Sequence, residues 1–224
     1  MKKTILFTLT AFAILASAPA QADQKVTHTF SATLPRGEVR KVVVEVPAGS
    51  VTIRNGSAQT LAVTGVASRD FEGSRERTWA QKVVNASSVD IYASGDEAII
   101  RRRFGPDADS FRARKFTSFS ITIDVPAGTD VDVRTSYGEV NMSGLFGRVS
   151  SDLRAGEIHF ATPRSAVKEL NATCRAGEVH ADLGDETVHR TGLFPGRTHY
   201  YNASGTSTVD LHVTAGEIHI ELTR

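Results

Sequence analysis

Apolar residues alternate with polar ones along much of this chain, the period-two pattern of half-buried strands. Val42, Val44 and Val46 open one such run, Val51 and Ile53 a second, Leu61 and Val63 a third. Turn-forming residues interrupt them at Pro35-Arg36-Gly37, Pro47-Ala48-Gly49 and Asn55-Gly56. Val46-Pro47-Ala48-Gly49 returns as Val125-Pro126-Ala127-Gly128, and each copy leads into a new alternating run, Val51/Ile53 and Val131/Val133. Residues 69–115 are less regular. Within them 74–84, where Glu76, Arg77, Gln81 and Lys82 surround Trp79 and Val83, predict one short helix. Strand-like runs follow at 89–92 and 98–100, and alternation resumes through Phe119, Ile121, Ile123 and Val125.

From Val131 onward a unit repeats. Arg154-Ala155-Gly156-Glu157-Ile158-His159-Phe160 returns as Arg175-Ala176-Gly177-Glu178-Val179-His180-Ala181 and as Thr214-Ala215-Gly216-Glu217-Ile218-His219-Ile220. Ser136-Tyr137-Gly138-Glu139-Val140-Asn141-Met142 is a plainer copy. The glycines lie 18, 21 and 39 residues apart, the last interval reading as two steps with a degenerate copy between. Counted from each glycine, position −3 (Thr135, Leu153, Cys174, Val213), position +2 (Val140, Ile158, Val179, Ile218) and position +4 (Met142, Phe160, Ala181, Ile220) should face inward. Position +1 (Glu139, Glu157, Glu178, Glu217) and position +3 (Asn141, His159, His180, His219) should face outward together. Like residues in like places suit parallel, in-register stacking. The expected fold is all-β, a right-handed parallel β-solenoid or β-helix with ~20-residue turns and a short helix-containing insertion. An antiparallel β-sandwich built from hairpins of similar length is the alternative.

The first residues read differently. Lys2 and Lys3 precede an apolar run over 5–16, and Ala20-Gln21-Ala22 fits a small-x-small cleavage site, so 1–22 are expected to be a secretory signal peptide. Residues 23–224 then form one β-strand-repeat domain. Of 26 basic residues, loss of Lys2 and Lys3 leaves 24 against 25 acidic, a formal charge of −1. That balance gives no electrostatic case for nucleic acid. No second apolar run is long enough for a transmembrane segment. Cys174, the single cysteine, excludes an internal disulfide and falls in an inward column, as a buried thiol would.

A signal peptide, Val-Pro-Ala-Gly followed by alternating strands, and recurrent Gly-Glu-Val/Ile steps resemble the bacterial putative-adhesin family of β-strand-repeat domains of unknown function. The resemblance spans roughly 26–222. It implies a β-helix-like domain displayed in the cell envelope and carries over no catalytic residue.

Three constellations carry chemistry. His159, His180 and His219 are candidate Zn²⁺ or Cu²⁺ ligands beside the glutamate column, with His219 expected to stand one degenerate turn away from His180. The competing reading, a solvated face copied with the repeat, leads. Arg154 and Arg175 are expected to offset the stacked glutamates. Arg101, Arg102, Arg103, Arg112, Arg114 and Lys115 form a basic cluster that could converge around a turn and take phosphate or carboxylate groups. His199-Tyr200-Tyr201 offers an aromatic platform for a sugar. The carboxylate pairs Asp107/Asp109 and Asp130/Asp132 are not set against a base, and no nucleophile elbow, zinc-protease helix or phosphate loop occurs. The expected protein is exported, periplasmic or extracellular, and non-catalytic, without a cofactor. It would bind or scaffold through its β-surface, with an envelope polysaccharide or envelope protein as partner. A polysaccharide-active enzyme and a metal-binding envelope protein are the alternatives.

Overall fold

The computed structural model describes residues 24–106, 116–184, 187–190 and 195–224, so 1–22 and the second half of the basic cluster lie outside the described residues. The described chain runs β1 (Lys25–Pro35), β2 (Lys41–Glu45), β3 (Ala48–Asn55), β4 (Thr60–Asp70), α1 (Gly73–Asn85), β5 (Ser87–Ser94), β6 (Glu97–Phe104) and β7 (Ser118–Val125). It continues through β8 (Asp130–Ser143), β9 (Arg148–Pro163), β10 (Val167–Asp182), β11 (Thr187–Arg190), β12 (Gly196–Tyr201) and β13 (Ser207–Thr223). The fold is all-β: one large mixed sheet that does not close on itself. The expected helix is present as α1, which buries Ala80, Val83 and Val84 and sets Trp79 4.1 Å from the Arg69 guanidinium. No described helix is long and apolar enough to cross a membrane.

β8, β9, β10 and β13 are long because each passes through a bend at its repeat glycine. The bend divides each strand into two legs with separate neighbours. The first leg of β8 pairs with β2, which pairs with β6 and so leads to β5. Its second leg pairs with β3, which leads through β7 and β4 to β1. All the inward columns named above are buried, from Leu153 and Cys174 before the bend to Ile158, Phe160 and Ile218 after it. Burying one such large aliphatic or aromatic side chain contributes about 1.5–3 kcal/mol.

The bends themselves demand glycine. Gly138, Gly156, Gly216 and Gly177 have φ of 130°, 134°, 138° and 143°, a region that side chains rarely enter. A Cβ on each would also overlap the carbonyl oxygen of the glycine on the next strand: Gly49 for Gly138, Gly138 for Gly156, Gly156 for Gly216, and Gly216 for Gly177. The five glycines thus form one close-packed column across five strands.

That column fixes the strand order β3-β8-β9-β13-β10, which departs from the order in sequence. β13 lies between β9 and β10, parallel to both and in register, with Gly216 opposite Gly156 on one side and Gly177 on the other. The expected degenerate turn before Gly216 is absent as such. The chain after β10 instead doubles back, and β11 and β12 run antiparallel along the free edge of β10. β13 then enters the gap that β9 and β10 leave. A register set by identical repeats accepts this order as readily as the sequential one, which is why spacing alone misplaces it.

Candidate functional site

The second legs and the strands beyond them present a continuous outer face. On it the pleat and the pairing register assemble two long rows. One reads Ser31, Thr64, Thr122, Thr52, Asn141, His159, His219, His180, across β1, β4, β7, β3, β8, β9, β13 and β10. The other reads Thr29, Val66, Ser120, Ser50, Glu139, Glu157, Glu217, Glu178 across the same strands. Half of this face is therefore neutral and hydroxyl-rich, and half carries carboxylates beside imidazoles. The neutral half escaped the sequence reading, which followed the apolar positions there. Its signal was the polar complement of the same alternation, Ser50/Thr52 and Ser120/Thr122.

In the charged half the three histidines come together, and His219 is the central one. Its ring stacks on His159 with centroids 4.7 Å apart and planes within 7°, and on His180 at 5.0 Å and 15°. The stacking follows from the ladder, whose strands lie ~4.8 Å apart. Each imidazole also meets the glutamate two residues before it. His219 Nε2 lies 3.0 Å from Glu217, His180 Nε2 3.0 Å from Glu178, and His159 Nε2 3.3 Å from Glu157 and 4.0 Å from Glu139. A carboxylate only accepts, so Nε2–H is the donor in each hydrogen bond. Arg154 and Arg175, expected to offset these glutamates, lie on the first legs, and no ion pair joins them to the column among the described residues. Beside the histidines runs an open groove of about 540 Å³, bordered on its far side by Ser143, Ala161, Glu221 and Asp182.

The outer face of the first legs follows another rule. There Arg101, Glu45, Arg134 and Asp152 stand in one row across β6, β2, β8 and β9, alternating in sign, and His212 of β13 continues it. Arg101 pairs with Glu45, and His212 Nδ1 lies 3.0 Å from Asp152. The hydrogen bond to Glu45, then its charge, raise the Arg101 guanidinium above its ordinary value.

The described arginines of the basic cluster do not share a face. Arg101 and Arg103 point outward, and Arg103 pairs with Asp90 at 3.3 Å. Arg102 turns to the other side, where its guanidinium lies 4.3 Å from the Phe104 ring and 4.2 Å from Phe119 and donates to the Ala48 carbonyl at 3.0 Å. Arg112, Arg114 and Lys115, like Asp107 and Asp109, lie outside the described residues. Of the other carboxylate pair, Asp130 accepts from the Arg148 backbone N–H at 2.7 Å and Asp132 from Arg134 at 2.7 Å, both structural tasks. The pleat also splits the aromatic platform: Tyr200 packs on the core and accepts from Arg164 at 3.2 Å, while Tyr201 is exposed. Cys174 is buried, its Sγ 3.1 Å from the Gly216 carbonyl oxygen, and burial pushes the thiol above its usual value.

No family profile and no curated protein matches the chain. Among solved structures it is similar to a putative cell adhesion protein from Clostridium sporogenes ATCC 15579, 10% identical, over 88% of this chain and 100% of that one, with a TM-score of 0.48. A putative adhesin from Parabacteroides distasonis ATCC 8503, also 10% identical, aligns over 61% of this chain and 62% of that one at a TM-score of 0.28. A putative adhesin from Bacteroides fragilis NCTC 9343, 8% identical, aligns over 90% and 98% at 0.24.

Proposed function

We propose that this is an exported, non-catalytic cell-envelope protein with an adhesin-like binding or scaffolding role, its ligand lying across the outer face of the second legs. The observation that carries the reading is the pair of rows across eight strands, hydroxyl-rich over β1, β4, β7 and β3 apart from Val66, then glutamates beside Asn141 and three histidines over β8, β9, β13 and β10. Such a surface matches a ligand with its own short repeat, and hydroxyls and carboxylates suit the hydroxyls of a polysaccharide. Export is supported by Lys2, Lys3, the apolar run and Ala20-Gln21-Ala22.

A coiled, solenoid-like path for 130–163 belongs to the same proposal. Four residues, 144–147, join the parallel strands β8 and β9, where a flat sheet needs a crossover of a dozen or more. The Gly128 N–H donates to the Leu145 carbonyl at 3.0 Å, so the chain leaving β8 meets the chain entering it. β13 departs from that winding.

Co-sedimentation of the protein with cell-wall sacculi and insoluble polysaccharides, in a salt series, tests the binding. Retention should persist at high salt, fall at least tenfold in a Thr52→Arg, Thr122→Arg variant, and stay unchanged in an Arg101→Ser, Arg103→Ser variant. Lack of retention on every polymer, or turnover of one, would sink the reading.

A further inference from the structure

The geometry points to a divalent transition-metal site, for Zn²⁺ or Cu²⁺, built by Glu157 and His159 of β9 with His219 of β13. One ligand atom from each lies within 4.8 Å of the other two. Four-coordinate zinc with bonds near 2.1 Å spaces its donors ~3.4 Å apart. Small rotations of these half-exposed side chains close that difference, because neither strand has to move. Two imidazole nitrogens and a carboxylate oxygen are the borderline donor set that both ions accept, and solvent supplies the open position.

The surroundings favour a cation. Glu139, Glu157, Glu217 and Glu178 stand on adjacent strands, and Glu221 and Asp182 line the groove on the other side of the histidines. No lysine or arginine lines that groove among the described residues. A divalent ion at Glu157 would relieve like-charge repulsion along the column.

The strand order is what makes the site. Sequence spacing pairs His159 with His180, but their strands are not neighbours, and His219 occupies the place between them. His180 carries its own contact with Glu178 and stands outside the three-donor set. The site is thus predicted to discriminate among three histidines that the repeat makes equivalent.

The test titrates the purified full chain with Cu²⁺, followed by electron paramagnetic resonance, and with Zn²⁺, followed by calorimetry. One ion per chain should bind saturably, with nitrogen hyperfine structure from two imidazoles in the copper spectrum. His219→Ala and His159→Ala should each weaken binding more than tenfold, and isosteric Glu157→Gln about tenfold. His180→Ala should stay within about threefold of wild type. Circular dichroism checks that each variant is folded, which half-exposed positions on an outward strand face permit. Absence of saturable binding, or equal losses from His180→Ala and His219→Ala, would overturn the site, as would an unaffected His219→Ala. None of these outcomes depends on polysaccharide retention, so the site stands or falls apart from the proposed function.

Discussion

The two legs of the bent strands present outer faces with opposite electrostatic designs, and β8, β9 and β13 take part in both. Before the glycine bend, neighbouring strands alternate in sign along Arg101, Glu45, Arg134 and Asp152, with His212 beside Asp152. After it, they repeat one type, Glu139, Glu157, Glu217 and Glu178, beside the histidines. Unlike neighbours satisfy each other and leave little for a ligand. Like neighbours place several donors of one kind at one spacing, which costs some stability and leaves a surface able to bind. A parallel in-register ladder therefore does not force one outcome; the residues copied with the repeat decide it.

The bend separates the two faces, and Gly216→Ala should break both at once. The left-handed backbone and the overlap with the Gly156 carbonyl together cost more than about 4 kcal/mol. Cys174 reports the result, because its thiol packs against the Gly216 carbonyl. Maleimide should label folded wild type slowly and the variant at a rate close to that of unfolded chain.

Next in size is the interior support of the first-leg sheet. Arg102→Ala removes a guanidinium packed against two rings and should cost about 1–3 kcal/mol in urea unfolding. Arg103→Ala, which breaks an exposed ion pair with Asp90, should cost about 0–1 kcal/mol. Equal losses would show that Arg102 belongs with the surface cluster after all.

The smallest effects decide the comparison itself. Asp152→Asn removes a charge from the alternating row and should destabilise by about 0.5 kcal/mol. Glu217→Gln removes one from between two like neighbours and keeps an acceptor for His219, so with a chelator present it should stabilise by a few tenths of a kcal/mol. Equilibrium unfolding of both variants in low salt measures the pair. The same sign in both would erase the distinction between the faces.

Much of the architecture is legible in the residues. Alternation marks the strands, the charged run around Trp79 marks the helix, and the columns around each glycine assign inward and outward positions through to Ile220. The order of strands is not legible, because Gly216 fits beside Gly156 or Gly177 equally well and chain separation carries no penalty that the local pattern records. For the same reason His219 could not be seen to stand between the other two histidines. In the basic cluster, closeness in sequence leaves out the pleat, which sends Arg102 away from Arg101 and Arg103, the three of its six members that are described.

The position of β13 has a consequence for how the molecule is made. β13 lies between β9 and β10 but follows both in the chain, the last of the described strands. Edges of β9 and β10 that formed before it docked would present unpaired amide groups to any extended chain nearby. The closing step joins residues 60 positions apart on one side, Asp152 and His212 among them, and such distant pairings form slowly. Docking of β13 would thus complete an interior position of the sheet, between β9 and β10, from a strand made after both.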